Sequence, residues 1–369
     1  MACVETFIED VLRKEDLQEV SIEYGTSSGG FVGDVSTAVV HHSRGIINLF
    51  IKKNESELAK IMSKYETNFY EVIVPKLNAI SGNSWRDVPK CYLSTETEII
   101  LENVCAKGFH LWKELGHPLS SEYIEAVLKC YGQFHGLSFA LKQLEPEVFE
   151  EISFSDYEPM ILALNAYKND TIISNFTDIA TKSFGEEDEE CKKAFKKFIN
   201  DDILTFLEEL KAEDKYNVIV HGDCWTNNFM FREREGDIDV RMLDFQLARK
   251  ASPIVDLSYF LTTSGCSKDV FNNVDAFLKI YHDALVNTLD RLHCDPDVFP
   301  FGELKRQWCK YGRYGTFWSM AISKMMIADK EEVEAAHTDR GIFHSFYFTS
   351  KNEAIYDERM NMIIKYFFK

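Results

Sequence analysis

Three polar residues with a defined spacing give the clearest chemical pattern in the sequence. Asp223 and Asn228 lie five residues apart in the segment VIVHGDCWTNNFMF, residues 218–231, directly after an apolar run typical of a buried strand. Asp244 follows sixteen residues later, near the end of a second apolar run, VRMLDF. Two strands of one hairpin can place their polar ends side by side, so we expect these three side chains in one small volume.

Side chains of these types match the needs of phosphoryl transfer. One Asp and one Asn would supply hard oxygen ligands for Mg²⁺, with waters and phosphate oxygens filling the remaining positions. The other Asp would accept a proton from a substrate hydroxyl. The reaction needs this division because a metal ion neutralises the triphosphate while a carboxylate orients the nucleophile.

The elements that must position these residues point to two lobes. A chain of 369 residues is too long for one small core. Residues 1–104 have mostly strand patterns with one long helix, whereas helical patterns dominate from about residue 120 onward, apart from a strand pair over 218–245. We therefore predict an α+β fold with a small N-terminal lobe over 1–104 and a larger, mainly helical lobe over 105–369.

The long helix of the first lobe is predicted over residues 54–78. Its apolar residues recur at spacings of three and four, and Asn54 with Glu57 fits a capping box at its start. Pro75 indicates that the helix ends or kinks there, because proline lacks a backbone N–H and clashes with the preceding turn.

Composition restricts the partners. The net charge of −19 argues against a nucleic-acid or anionic-membrane surface, because neutralising phosphates requires clustered Lys and Arg. No apolar run is long enough to predict a membrane span. We expect no obligate protein partner, since no segment of the sequence indicates one.

The cysteines and the N-terminal segment bear on the compartment. Nine cysteines are scattered without a CxxC pair, which disfavours a disulfide framework or a zinc site and favours a reducing compartment. The segment MACVETFIEDVLRKEDL has no continuous apolar stretch of the kind found in signal peptides. These features predict a cytoplasmic protein.

The motifs resemble those of a known family. The pattern HGDxxxxN…DFQ resembles the catalytic-loop and metal-loop pair of protein-kinase-like phosphotransferases. More narrowly, HGDCWTNNFMFR, LDFQLARKASPIVDLSYFL and ILENV…GF resemble the insect ecdysteroid kinase-like family, related to choline kinases and aminoglycoside phosphotransferases. The resemblance covers residues 20–330 and implies a two-lobed protein-kinase-like fold. It also implies a small antiparallel sheet in the first lobe and binding of ATP and Mg²⁺ between the lobes.

Matching positions in these motifs imply roles for five residues. Asp223 would be the catalytic base, and Asn228 and Asp244 would be the Mg²⁺ ligands. Lys52, at the end of INLFIK, would contact the α- and β-phosphates of ATP. Glu66, in the middle of the long helix, would be the ion-pair partner of Lys52.

The lysine and glutamate assignments have competitors. Lys53 follows Lys52, and because strand residues alternate between faces, only one of the two can point into the cleft; family spacing favours Lys52. Glu57 and Glu71 compete with Glu66, although Glu57 is better explained as a helix cap.

Two more segments are implied to contact the nucleotide. The ILENV segment would be the hinge, with backbone groups from Glu102 to Val104 near the adenine. The segment GTSSGGFVGD, residues 25–34, would cover the phosphates, because small residues let backbone N–H groups approach them. The residues predicted to contact phosphate there are Ser28, Gly29 and Gly30.

Two departures from protein kinases indicate a small-molecule acceptor. Gly222 occupies the position at which protein kinases have an arginine that binds the phosphate of the activation loop. Only eleven residues separate Asp244 from Asp256, too few for the loop on which protein kinases hold a peptide. Asp256 matches an aspartate that braces the catalytic loop in such kinases.

The resemblance predicts an ATP- and Mg²⁺-dependent kinase of small-molecule alcohols, with an ecdysteroid or another hydroxylated lipophile or xenobiotic as the acceptor in a detoxification reaction. A choline- or ethanolamine-type kinase and an inactive kinase-like binding module are the alternatives. A Trp- and Met-rich segment containing Trp308, Trp318, Met325 and Met326 could be a core helix or could wall an apolar acceptor pocket.

Overall fold

The computed structural model describes residues 8, 13, 19–25, 28–29, 34–54, 57–112, 116–154, 159–167, 171–212, 214–336 and 342–369. The chain forms two compact units. Unit 1 combines Met1–Leu111 with Phe229–Ala248, and unit 2 combines Trp112–Asn228 with Arg249–Lys369. This division differs from the predicted boundary after residue 104, because 229–248 groups with the N-terminal part of the chain. The α+β class predicted from the sequence is confirmed.

An antiparallel sheet is the framework of unit 1. Its strands are β1 (Glu19–Tyr24), β2 (Ser28–Gly29), β3 (Asp34–His42), β4 (Gly45–Lys53), β5 (Cys91–Ser94) and β6 (Glu98–Glu102). Their order is β1-β3-β4-β6-β5, with β2 paired to β3. Leu49 and Ile51 of β4 are buried in a core with Val40 and Ile100. Because side chains alternate along a strand, Lys52 lies on the other face of β4.

The predicted long helix is continuous in path but changes its winding. It consists of α1 (Glu57–Asn68), a π-helical segment (Phe69–Ile73) and α2 (Val74–Ile80). Pro75 is the second residue of α2 and follows directly on the π-helical winding, in which the Val74 N–H donates to the Phe69 carbonyl five residues earlier. The chain thus accommodates Pro75 after a π-helical segment and continues helically to Ile80.

The Asn54 side chain contacts the body of the predicted helix. It is buried, and its Nδ2 donates a hydrogen bond to Ser63 Oγ at 2.9 Å. Ser63 in turn donates to the Thr95 carbonyl. Asn54 therefore ties the end of β4 to the body of α1, a contact that helps fix Lys52 relative to that helix.

The segment FREREGDIDVRMLDF, residues 231–245, has the pattern of a hairpin with a Glu-Gly-Asp turn, and the structure confirms this prediction. The hairpin consists of β8 (Phe229–Arg234) and β9 (Asp237–Met242), joined by Glu235 and Gly236 with φ angles of 50° and 94°. Two consecutive positive φ angles are typical of the tight turn that matches strand twist. Phe229 pairs with Met242, so β9 ends two residues before Asp244.

Unit 2 is mainly helical. Its helices are α3 (Ser121–Leu144), α4 (Pro146–Glu151), α5 (Pro159–Ala166), α6 (Ile172–Ala180), α7 (Glu189–Lys197), α8 (Ile203–Lys211), α9 (Ile254–Thr262), α10 (Lys268–Asn272), α11 (Val274–Arg291), α12 (Phe301–Tyr311), α13 (Tyr314–Ile327), α14 (Lys330–Ala336), α15 (Ile342–Phe346) and α16 (Glu353–Phe368). The long helices α3 and α11 approach closely at Gly132, where an added Cβ would lie 2.4 Å from the Tyr281 carbonyl oxygen. Within the described ranges, no helix is long and apolar enough to cross a membrane.

The strand before Asp223 has a different partner from the one expected. β7 (Val218–Val220) pairs antiparallel with β10 (Arg249–Ala251), while β9 pairs with β8. The two apolar runs that precede Asp223 and Asp244 are therefore not strands of one hairpin. β10 leads directly into α9, which carries Asp256.

Candidate active site

Lys52 of unit 1 bridges two carboxylates. Its Nζ lies 2.9 Å from Glu66 Oε2 and 2.7 Å from Asp244 Oδ1. β4 supplies the lysine, α1 supplies Glu66, and the segment after β9 supplies Asp244. The structure thus brings together three residues that the sequence separates by up to 192 positions.

The electrostatics of this cluster keep the lysine charged. Burial alone would lower the pKa of Lys52, but the carboxylates of Asp244 and Glu66 outweigh it and raise that pKa. Burial raises the pKa of Glu66, while the adjacent Lys52 ammonium opposes that shift. When all three groups are ionised the cluster carries one excess negative charge in a poorly hydrated place, which favours a bound cation.

The competing residues have different surroundings. Lys53 points to the opposite face of β4, where its Nζ lies 3.7 Å from Glu98 Oε1. Glu71 is exposed to solvent, and the Glu57 side chain lies outside the described residues. Among the described candidates, the lysine and glutamate that form an ion pair with each other are Lys52 and Glu66.

The backbone at Asp244 has an unusual conformation. Its φ of 63° is in the left-handed region, which Asp tolerates better than most residues other than glycine. The next residue, Phe245, is fixed by one backbone contact and one ring contact. Its N–H donates to Glu66, and its ring stacks on Phe69 with centroids 3.5 Å apart. These contacts fix the direction in which the Asp244 side chain leaves the backbone. The left-handed φ of Asp244 is a local backbone strain of the kind that clusters at functional sites.

Asp223 of unit 2 has both carboxylate oxygens in hydrogen bonds. Tyr259 Oη donates to Oδ1 at 3.0 Å, and Asn228 Nδ2 donates to Oδ2 at 2.9 Å. The same Nδ2 also donates to the Asp223 carbonyl oxygen at 2.9 Å. Because both protons of the Asn228 amide are directed at Asp223, its Oδ1 is turned the other way and is the atom available as a metal ligand.

A buried carboxylate braces the loop that carries Asp223. Asp256 Oδ2 accepts from the His221 N–H at 2.7 Å, and Oδ1 accepts from the Gly222 N–H at 2.8 Å. Cys224 Sγ and His135 Nε2 lie 3.1 Å from its oxygens. Burial alone would raise the pKa of Asp256, but the hydrogen bond from His135 and the other nearby donors hold it below its usual range.

The backbone of this loop follows from its sequence. Gly222 has a φ of 84°, which a glycine adopts without a steric cost. The turn it makes lets two successive N–H groups reach the same Asp256 carboxylate and directs the Asp223 side chain toward Tyr259. A glycine at the position where protein kinases have arginine is therefore a requirement of this loop geometry.

Tyr259 is the residue that motif reasoning missed. It lies 36 positions from Asp223, within the segment LDFQLARKASPIVDLSYFL, where the resemblance implies roles for Asp244 and Asp256 but none for Tyr259. One signal could have indicated it: Tyr259 is three residues after Asp256 in α9, and residues with this spacing share a helix face. If Asp256 faces the catalytic loop, Tyr259 faces it too.

The predicted hinge and phosphate-covering segments are only partly described. Glu102 ends β6, its N–H donates to the Lys90 carbonyl at 2.8 Å, and its carboxylate pairs with Lys107. After Asn103, Val104 is buried against Phe109. Ser28 and Gly29 form β2, opposite Val35 and Asp34, whereas Gly30 lies outside the described residues.

The fold and the two residue clusters define a protein of the protein-kinase-like fold, which confirms the fold predicted from the sequence. Its residues 51–294 match the profile of the ecdysteroid kinase-like family, so the match covers about two thirds of the 369 residues. The chain belongs to this family. Family membership supports a small-molecule kinase as the broad class of activity.

Solved structures similar to the chain include kinases of small molecules. An ethanolamine kinase from Plasmodium vivax shares 14% identity with a TM-score of 0.45, covering 90% of this chain and 82% of its own. A choline kinase from Cryptosporidium parvum shares 13% with a TM-score of 0.46, covering 98% and 95%. A putative aminoglycoside phosphotransferase from Ralstonia eutropha shares 13% with a TM-score of 0.48, covering 98% of both chains. A comparison with curated proteins gave no match.

Proposed function

We propose that this protein is an ATP- and Mg²⁺-dependent kinase that transfers the γ-phosphate of ATP to an alcohol group of a small lipophilic molecule, such as an ecdysteroid or a hydroxylated xenobiotic. The observation that carries the proposal is the contact of Lys52 with both Glu66 and Asp244. An ammonium fixed between a helix carboxylate and a carboxylate of the metal motif is the arrangement that phosphoryl transfer requires of this fold.

The roles of the unit 1 residues follow from charge and position. In this proposal Lys52 binds the α- and β-phosphates, and Glu66 holds its side chain in place. Lys52 is suited to this because its raised pKa keeps it fully protonated at neutral pH. Glu66 is suited because it is almost fully buried and cannot be replaced by solvent as the partner of the ammonium.

Asn228 and Asp244 are the proposed Mg²⁺ ligands. Both offer oxygen atoms, which Mg²⁺ prefers, and a site with one protein carboxylate leaves positions for phosphate oxygens and water. The residues fit the ion: the Asn228 amide directs Oδ1 away from its two Nδ2 bonds, and the cluster around Asp244 has an excess of negative charge. Bound Mg²⁺ would neutralise charge on the transferring phosphate.

Asp223 is the proposed catalytic base, which orients the acceptor hydroxyl and accepts its proton. A carboxylate offers about four acceptor positions, and the bonds from Tyr259 and Asn228 use one on each oxygen. A carboxylate held from two sides points in a fixed direction, and this fixed geometry is what orients a nucleophile.

The nucleotide's other contacts are proposed at the segments predicted from the sequence. Backbone groups from Glu102 to Val104 would bind the adenine, since the chain leaves β6 there and turns at Asn103. Ser28, Gly29 and Gly30 would contribute backbone N–H groups to the phosphates. The pairing of Ser28 with Val35 and of Gly29 with Asp34 supports an ordered backbone at these two residues.

The proposed acceptor class rests on two features of the chain. β10 and α9 begin at Arg249 and Ile254, so the chain has no room after Asp244 for a long peptide-binding segment. Trp318 of α13 stacks on Tyr259, the residue bonded to Asp223, while Trp308 and Met325 are buried. Trp318 is partly exposed beside the buried Tyr259, and an aromatic ring near the base favours a flat or cyclic apolar acceptor. We also propose a cytoplasmic location, supported by the scattered cysteines.

The test is ATP consumption together with the mass of the acceptor. Wild-type protein is incubated with ATP, Mg²⁺ and separate acceptors (ecdysteroids, other sterols, phenolics, choline and ethanolamine), and each product is examined for one added phosphate. Asp223→Asn is expected to lose this transfer. Asp290→Asn, which removes an exposed carboxylate of α11, is the matched control and is expected to retain it.

The panel also separates the alternatives. Turnover of choline or ethanolamine well above that of any sterol or phenolic would replace the proposed acceptor class with an amino-alcohol. ATP binding without transfer to any member, with wild type and Asp223→Asn equally inert, would indicate a kinase-like binding module.

A further inference from the structure

Tyr259 of α9 holds the proposed base from the side opposite Asn228. Its hydroxyl donates to Asp223 Oδ1 at 3.0 Å, opposite the Asn228 amide bonded to Oδ2. The tyrosine side chain is 1% exposed, so water cannot readily take the place of its hydroxyl. Burial and the neighbouring Asp223 raise the pKa of Tyr259, which therefore remains a protonated donor.

The ring of Tyr259 is fixed by its surroundings. It lies parallel to the Trp318 ring, with centroids 5.5 Å apart and an angle of 6° between the planes. This stacking depends on the close approach of α9 and α13 at Gly315, where an added Cβ would lie 2.3 Å from the Ser258 carbonyl oxygen. The glycine is therefore required for Trp318 to reach the tyrosine.

We propose that Tyr259 is a positioning residue for Asp223, and that its hydroxyl, backed by Trp318, fixes the carboxylate rotamer in which Asp223 meets the acceptor hydroxyl. The inference rests on the proposed role of Asp223 as the base. Tyr259→Phe would remove the hydrogen bond to Oδ1 and keep the Asn228 bond to Oδ2. The carboxylate can then rotate about its Cβ–Cγ bond, and fewer bound acceptors are aligned for reaction.

The variant Tyr259→Phe removes the hydroxyl and keeps the ring that stacks on Trp318. We expect kcat to fall by about tenfold or more, as for loss of a hydrogen bond to a charged group, while KM for ATP and for the acceptor changes by less than about twofold. The assay uses the acceptor from the panel above on which the wild type is most active. Tyr356→Phe, which removes a buried hydroxyl bonded to the Met320 carbonyl, is the matched control with unchanged kcat.

A double-mutant cycle separates positioning from a general structural role. If Tyr259 acts through Asp223, adding Tyr259→Phe to Asp223→Asn changes the residual rate by less than about twofold, because there is no carboxylate left to orient. A structural role would lower the rate in both backgrounds. If Tyr259→Phe does not fold, Trp318→Leu leaves the hydroxyl and removes the ring behind it, and we expect a kcat loss of about threefold that is likewise absent beside Asp223→Asn.

The possible results distinguish this inference from the proposed function. An active wild type with equal kcat in Tyr259→Phe, or with losses that repeat in the Asp223→Asn background, would overturn the positioning role alone. An equal fall of kcat in Tyr356→Phe would do the same. A wild type that transfers phosphate to no acceptor would overturn the proposed function and the inference together.

Discussion

Adjacent residues in this chain have very different surroundings, and single substitutions can exploit this. Lys52 is nearly buried between two carboxylates, whereas Lys53, on the opposite face of β4, is 30% exposed near Glu98. We predict that Lys52→Met lowers the rate of phosphate transfer at least about a hundredfold, because removing a preorganised phosphate contact costs on the order of 3 kcal/mol. Lys53→Met should remain within about threefold of wild type. Steady-state kinetics of the two variants decides between the lysines, and a larger loss in Lys53→Met would reverse the assignment.

Asn227 and Asn228 give a second matched pair. Asn227 is exposed, whereas Asn228 is buried with both Nδ2 protons directed at Asp223. Asn228→Ala should raise the Mg²⁺ concentration required for half-maximal activity by about tenfold or more, because it removes a ligand that is already oriented. Asn227→Ala should leave the Mg²⁺ requirement unchanged. Titration of activity with Mg²⁺ at saturating ATP measures both, and equal requirements in the two variants would remove Asn228 from the metal site.

At the scale of elements, the loop between β7 and β8 depends on α9. Asp256 accepts two backbone N–H groups of this loop while fully buried. In Asp256→Asn an amide donor would face those N–H groups, so we predict a loss of about 2–4 kcal/mol in the free energy of unfolding at pH 7. Urea unfolding measures the loss, and Asp290→Asn, at an exposed position of α11, should stay within about 0.5 kcal/mol. An unchanged midpoint in Asp256→Asn would show that the loop does not rely on this carboxylate.

The same variant has a pH signature with a defined sign. The folded pKa of Asp256 is lowered, so the folded protein binds fewer protons there than the unfolded chain. The stabilisation is complete above the unfolded pKa of about 3.9 and is lost as pH falls through the lower folded pKa. The difference between wild type and Asp256→Asn should therefore be constant from pH 7 to about 5 and shrink below about pH 4. A difference that widens on acidification would contradict the lowered pKa.

What the sequence could predict at this scale depended on local signals. The hairpin over 229–242 was predictable because a Glu-Gly turn separates two strand patterns. The partner of β7 was not, because short apolar runs carry no pairing information, and β10 completes that pair from beyond the hairpin. The contact of Asn54 with Ser63 was not predictable either, because it joins residues nine positions apart that no local pattern links.

The proposed site residues likewise divide into those that a sequence motif indicates and one that depends on tertiary packing. Motif spacing and resemblance predicted five site residues: Lys52, Glu66, Asp223, Asn228 and Asp244. In the structure Lys52 contacts Glu66 and Asp244, and Asp223 contacts Asn228. Tyr259 lies within LDFQLARKASPIVDLSYFL but was assigned no role there, because its contact with Asp223 comes from the face of α9 and not from its neighbours in sequence. Distances and partners of this kind depend on tertiary packing, for which a single sequence carries no direct pattern.

For the whole molecule, the proposed nucleotide residues and the proposed base belong to different units. Lys52, Glu66 and Asp244 lie in unit 1, whereas Asp223 lies in unit 2. Binding of ATP and the chemical step should therefore be separable by mutation. A ligand that binds only the folded state at a hundred times its Kd stabilises it by about 2.7 kcal/mol, which raises Tm by about 3 °C for a chain of this size.

We predict that Asp223→Asn retains the rise in Tm produced by ATP with Mg²⁺ but loses phosphate transfer, because its carboxylate is needed for the acceptor proton and not for the nucleotide. Asp244→Ala should fold with a similar Tm and lose the Mg²⁺-dependent part of that rise. Thermal unfolding of both variants with ATP alone, Mg²⁺ alone and the two together makes the comparison, with Asp290→Asn as the control. An Asp244→Ala variant with an unchanged Mg²⁺-dependent rise would exclude Asp244 as a metal ligand, and loss of the rise in Asp223→Asn would place that residue in nucleotide binding.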